Sequence, residues 1–176
     1  MAVIVVCGSG KDVGKTALVC GLIAGLPGFG WTAVKVTSHA YGKAEAVWEE
    51  TEAGEGTDTG RYLAAGAWRA FLVSAGDEEL GAEVERLRSE LGPGAHWIFE
   101  SNRVLRHVRP DVCVAVAGGV AQKGSFVAVR GQVAARIELA EADGFVDGDE
   151  PVFRLGALER ISAAMAEWLR GRLGAV

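Results

Sequence analysis

The sequence predicts a doubly wound α/β fold, a mostly parallel sheet with helices on both faces. Three observations carry that expectation. Short runs rich in β-branched residues alternate with longer stretches of helical periodicity. The first such run, Val3 to Cys7, leads directly into a glycine-rich turn and then an apolar helix. Glycine is abundant, 25 of 176 residues against a usual share of about 7%, with no Gly-X-Y period, which indicates many tight turns and close backbone approaches.

Taken in order, the predicted strands are Val3 to Cys7, Ala33 to Thr37, Ala70 to Val73, His96 to Phe99, Val112 to Ala117 and Phe126 to Val129, with a short last one at Gly144 to Val146. The predicted helices are Lys15 to Leu26, Thr59 to Ala65, Glu78 to Leu91, Val133 to Ala142 and Leu155 to Leu169. In the third of these, Leu80, Val84, Leu87 and Leu91 recur at helical spacing while Glu79, Glu83, Glu85, Arg86 and Arg88 take the other face, so this helix is packing rather than chemistry. Between Gly42 and Thr57 the composition shifts to Glu45, Glu49, Glu50, Glu52 and Glu55 with Gly54 and Gly56. That segment reads as a polar loop, with Trp48 as its large apolar residue, placed to act as a lid.

A chain of this length suits one domain, residues 1–176, burying roughly 70% of its extended surface. Hydrophobic residues at 49% and charged residues at 23% exclude a disordered chain. Lys+Arg 18 against Asp+Glu 23 leaves a net charge of −5, which disfavours nucleic acid and anionic membrane as partners. Val3 to Cys7 is too short for a membrane span or a secretory signal core. Cys7, Cys20 and Cys113 form neither a pairable even set nor a Cys-x-x-Cys motif, so reduced core cysteines and a cytoplasmic setting are expected.

The sharpest signal is the run Gly8, Ser9, Gly10, Lys11, Asp12, Val13, Gly14, Lys15, Thr16 and Ala17 between the first strand and the first helix. A glycine-rich turn lets backbone N–H groups wrap a phosphate chain, and the following helix aims its positive end at the same anion. Lys15 then reaches the β- and γ-phosphates of a nucleoside triphosphate, ATP or GTP, and the Thr16 hydroxyl holds Mg²⁺. The strict pattern wants glycine where Ser9 stands; the turn glycine is one residue earlier at Gly8, which makes this a lengthened phosphate-binding loop, or P-loop. Such a site needs an acid to anchor Mg²⁺. Glu100, closing His96-Trp97-Ile98-Phe99, is the first candidate, and Asp12 within the loop is the second. Either acid, or His39, is also a candidate base near the γ-phosphate. Catalytic candidates are therefore Lys15, Glu100 and Asp12.

Beyond the loop, Val34-Lys35-Val36-Thr37-Ser38-His39, then Asp58-Thr59-Gly60-Arg61-Tyr62-Leu63-Ala64-Ala65-Gly66-Ala67, then a strand ending in Glu100, resemble the molybdopterin-guanine dinucleotide biosynthesis adaptor protein (MobB) family over roughly residues 2 to 117. The resemblance implies that Lys35, His39, Asp58 and Arg61 line the nucleotide and metal side of the sheet. It also implies a homodimer that hydrolyses nucleotide slowly and assists an enzyme of molybdenum cofactor biosynthesis. Two features depart from the family pattern: only the last histidine of its His-rich stretch is present, as His39, and Glu100-Ser101-Asn102-Arg103 replaces Glu-Gly-Phe-Lys. The loop alone, with Asp12-Val13 before Gly14, also resembles that of dethiobiotin synthetase, which keeps open a small-molecule kinase or ATP-dependent ligase.

Overall fold

The computed structural model describes residues 1–38, 46–118 and 124–174. Along the chain run β1 (Val3–Gly8), α1 (Lys15–Gly25), β2 (Trp31–Thr37), β3 (Val47–Glu50), α2 (Asp58–Ala64), β4 (Arg69–Ser74), α3 (Leu80–Leu91), β5 (His96–Glu100), β6 (Val112–Val116), α4 (Gly124–Val127), β7 (Ala135–Leu139), β8 (Gly144–Val146), β9 (Val152–Leu155) and α5 (Ala163–Leu173). The strands form one sheet in the order β3-β4-β2-β5-β1-β6-β7-β9-β8. Pairing is parallel throughout except at the two edges, where β3 and β8 run antiparallel to their neighbours.

Strand alternation splits the core in two. Ile4 and Val6 of β1 point to a layer built with Leu18, Leu22 and Ile23 of α1, Tyr62 of α2 and Met165 and Leu169 of α5. Val3, Val5 and Cys7 point to the opposite layer, with Leu80, Val84 and Leu87 of α3 and Phe126 of α4. All six β1 residues are buried, the mark of a central parallel strand covered on both faces. From β1 the chain first crosses to one side, through β2 and β4, returns through β5, and then continues past β1 into β6 on the other. The carboxyl end of β1 is therefore the switch point of the winding, where open α/β sheets hold their ligands.

Four stretches differ from the sequence reading. Phe126 to Val129, expected as a strand for its β-branched content, is α4 and the turn after it, with Phe126 and Val129 buried three apart. Val133 to Ala142, expected as a helix, holds β7, because Ala135 and Ile137 go inward while Arg136 and Glu138 are half-exposed, a period of two. Leu155 to Leu169 is not one helix. Leu155 closes β9, and α5 starts only at Ala163, where the Ser162 hydroxyl accepts the Met165 N–H at 3.2 Å. The polar segment is not all loop: Val47 to Glu50 pair with β4 as an edge strand, and residues 42–45 lie outside the described residues.

Candidate functional site

The P-loop leaves β1 at the switch point and its ends are fastened by side chains from neighbouring strands. Asn102, two residues past β5, takes the Gly8 N–H on Oδ1 at 2.9 Å and returns Nδ2 to the Gly8 carbonyl at 3.0 Å, with Ser125 Oγ 3.2 Å from the same nitrogen. Ser9 exchanges two bonds with Gly118: its hydroxyl donates to the carbonyl at 2.5 Å and accepts the N–H at 3.1 Å. The serine that breaks the strict glycine pattern thus ties the loop to the end of β6. Across the loop, Lys15 Nζ donates to the Gly10 carbonyl at 2.9 Å.

Gly14 is required by geometry. Its φ of 94° is left-handed, and a Cβ there would come within 2.3 Å of Leu158 Cδ1. Gly14 then opens α1 with no side-chain cap and with no acid in the first turn. The first N–H groups of that helix, which have no intrahelical acceptors, face the loop with the positive end of the helix dipole.

Beneath the loop sits Glu100, 2% exposed at the end of β5. Its Oε2 accepts the Thr16 hydroxyl from α1 at 2.8 Å and the Tyr62 hydroxyl from α2, and its Oε1 accepts Lys35 Nζ from β2. Lys35 also pairs with Asp58 Oδ2 at 3.0 Å. Burial alone would lower the Lys35 pKa, but the charge and hydrogen bonds of Glu100, and then of Asp58, outweigh it and hold the ammonium above its ordinary value. Burial, reinforced by Glu100, pushes the Tyr62 phenol well above its usual range, so it stays a hydroxyl donor. Two carboxyl side chains, Glu100 and Asp58, thus share one lysine beside the opening turn of α1.

That donor set fits Mg²⁺. A magnesium ion takes one or two carboxylates and fills the rest of its shell with water and phosphate oxygens. The Thr16 hydroxyl, Glu100 and Asp58 supply hard oxygens of that kind and number. Among the described residues no three His, Cys, Asp or Glu side chains gather into an all-protein metal cage.

Most sequence-predicted residues converge here: Thr16, Lys35, Asp58 and Glu100 form one hydrogen-bonded cluster, and Gly8 through Ala17 run above it from the end of β1 through the loop into the first turn of α1. Two do not join them. Asp12 is exposed on the loop with φ of 56°, and no bond links it to Thr16 or Glu100. Arg61 turns away to Glu55 at 3.2 Å and Glu159 at 3.8 Å. His39 lies outside the described residues. Sequence reasoning missed two others, Tyr62 and Asn102. Tyr62 stands four residues after Asp58, hence on the same helix face, and that spacing was the available signal. Asn102 offered only its place beyond the strand-end acid.

No protein-family model matches the chain, and no curated protein matches it. Among solved structures, the crystal structure of the "apo" form of LpxK from Aquifex aeolicus in complex with ATP is similar, with a TM-score of 0.54 and 15% identity over 88% of this chain and 53% of that one. The likeness is one of fold. It agrees with the doubly wound, mostly parallel P-loop NTPase architecture that the topology shows, and this chain spans about half the length of LpxK. Among the described residues no helix is long and apolar enough to cross a membrane.

Proposed function

We propose that this chain is a Mg²⁺-dependent nucleoside triphosphate-binding protein with slow hydrolytic turnover. The observation that carries the reading is Glu100: a buried carboxylate at a strand end, hydrogen-bonded to the hydroxyl that follows the P-loop lysine. Such a group is costly to bury unless its charge is used or compensated. Compensation by Lys35 is incomplete, since Asp58 shares that lysine. In this reading Lys15 binds the β- and γ-phosphates, Thr16, Glu100 and Asp58 hold Mg²⁺, Lys35 pairs with both acids and keeps them in position, and Asn102 fixes the loop. Bound Mg²⁺ supplies charge neutralisation on the β- and γ-phosphate oxygens. The ATP bound by LpxK, a protein of like fold, supports the nucleotide assignment.

The test is thermal unfolding with ATP or GTP, with and without Mg²⁺. A ligand at a hundred times its dissociation constant stabilises by about 2.7 kcal/mol. At least one triphosphate is expected to raise the midpoint in a Mg²⁺-dependent way, and no rise with either one overturns the reading.

The resemblance to MobB supports a finer assignment, a homodimeric adaptor in molybdopterin-guanine dinucleotide assembly. A second reading, a small-molecule kinase or ligase, is favoured by one specific feature: a cavity of about 380 Å³ opens beside Lys35 and Asp58. An adaptor that works only through a partner surface has no need of it.

A further inference from the structure

The register of the sheet puts that cavity in line with the site. Val6 of β1 lies opposite Glu100 of β5, Glu100 opposite Lys35 of β2, Lys35 opposite Leu72 of β4, and Leu72 opposite Trp48 of the edge strand β3. Paired residues project to the same face of a sheet, so Glu100, Lys35, Leu72 and Trp48 form one row. Its first half holds the charged cluster under the P-loop, and its second half is the apolar wall of the cavity, closed on the other side by Glu50, Thr57 and Asp58.

The chemistry of these walls selects a ligand. Trp48 and Leu72 offer an indole and an isobutyl surface, and Trp48 is 41% exposed. The rim is acidic. The acids of the lining are Glu50 and Asp58; Lys35, the lining cation, is already paired with Asp58 and Glu100, and among the described residues no cation pairs with Glu50. Glu50 stays ionised: burial works against its charge, but bonds from the Thr57 and Thr59 hydroxyls at 2.9 and 3.1 Å and from the Thr51 and Glu52 N–H groups outweigh it. An anionic ligand would therefore meet repulsion here. A neutral or cationic one would not.

We propose, building on the nucleotide-binding reading, that this cavity binds a second substrate: a small, non-anionic molecule with an apolar or aromatic face and a hydroxyl group that accepts the γ-phosphoryl. On an alkylammonium ligand, which keeps its proton at neutral pH and has no free lone pair on nitrogen, the accepting atom is the hydroxyl oxygen. In the transfer, the hydroxyl oxygen bonds to the γ-phosphorus, and the bond from that phosphorus to the β–γ bridging oxygen breaks. The nucleoside diphosphate leaves with that electron pair. The hydroxyl proton is released to water as the new bond forms.

The experiment follows the tryptophan indole N–H signals of the full chain by ¹H–¹⁵N NMR, with the Trp48 signal identified by its loss in Trp48→Phe. The probes are 2-phenylethanol, tyramine and 3-phenylpropanoate: neutral, cationic and anionic molecules of one size. The first two are expected to shift the Trp48 signal with dissociation constants of about 1 mM, ordinary for so few atoms, and the third to bind at least tenfold more weakly. Leu72→Glu is expected to abolish the shifts, and Trp48→Ala is a second variant whose loss of probe binding is read by ligand-observed NMR. Both are expected to leave Mg²⁺·ATP affinity within about twofold. The proposal is overturned if neither neutral nor cationic probe moves the Trp48 signal, if the anion binds best, or if both variants retain probe binding. Mg²⁺·ATP titrations of the same samples keep the two readings apart: normal ATP binding with a silent Trp48 sinks only the second-substrate site, and absent ATP binding in wild type sinks the nucleotide reading whatever Trp48 does.

Discussion

The side-chain amide of Asn102 pairs with both backbone groups of Gly8, donating to its carbonyl at 3.0 Å and accepting its N–H at 2.9 Å. This fastens the residue where β1 becomes the P-loop to the end of β5, two positions beyond Glu100. The phosphate cradle and the acid beneath it are thereby held by one short segment. Asn102→Ala removes these two bonds and the one to Ser125 Oγ, each worth about 1 kcal/mol, so a loss of about 2–3 kcal/mol in urea-measured stability is expected. Triphosphate affinity is expected to fall severalfold with it, and Asn102→Asp, which keeps only the acceptor, is expected to lie nearer to Ala than to wild type.

Gly14 and Leu158 form a second test of loop geometry. A left-handed φ costs about 1–2 kcal/mol for a residue with a Cβ, and that Cβ would overlap Leu158 Cδ1. Gly14→Ala is expected to lower the thermal midpoint and weaken nucleotide binding. Adding Leu158→Ala relieves the overlap but not the strain, so the double variant is expected to recover only part of the binding. Full recovery would show that the backbone conformation is unimportant.

The Lys35–Glu100 pair makes a prediction in pH. Because the folded-state pKa of Lys35 is raised, its stabilisation is complete below the ordinary lysine value of 10.5 and is lost as pH rises through the higher folded value. Urea midpoints are expected to stay level up to about pH 10 and then decline more steeply in wild type than in a Lys35→Met, Glu100→Gln double variant. Lys35→Met alone strands a buried carboxylate and is expected to cost about 3 kcal/mol at neutral pH, much of it returned by the second substitution.

The part of the fold near the site was the most legible. Val3 to Cys7, the loop and the helix from Lys15 are local signals that agree with one another, and Glu100 could be named because it closes a strand behind three buried residues, Trp97, Ile98 and Phe99. The carboxyl-terminal part was misread where tertiary context overrides propensity. Ala135 to Leu139 is made of good helix formers, yet it pairs between β6 and β9 as a strand. Phe126 to Val129 is β-branched and aromatic, yet its first two residues close a helical turn. The edge strand β3 was hidden because Val47 and Trp48 are the only large apolar residues in a glutamate-rich segment, and what makes that segment a strand is the edge of β4, a long-range partner that no local pattern reveals. Asn102 escaped for the same reason: its role lies in a contact to Gly8, 94 residues away.

The most direct test of the nucleotide-binding reading is isothermal titration of Mg²⁺·ATP and Mg²⁺·GTP into wild-type protein and Lys15→Ala. The Lys15 ammonium is expected to make charge-assisted bonds to two phosphates, each worth about 1.5–3 kcal/mol. Binding of at least one triphosphate by wild type, weakened at least tenfold in a Lys15→Ala protein that still unfolds cooperatively, is the expected result. Equal affinity in the two proteins, or no binding by wild type, would contradict it.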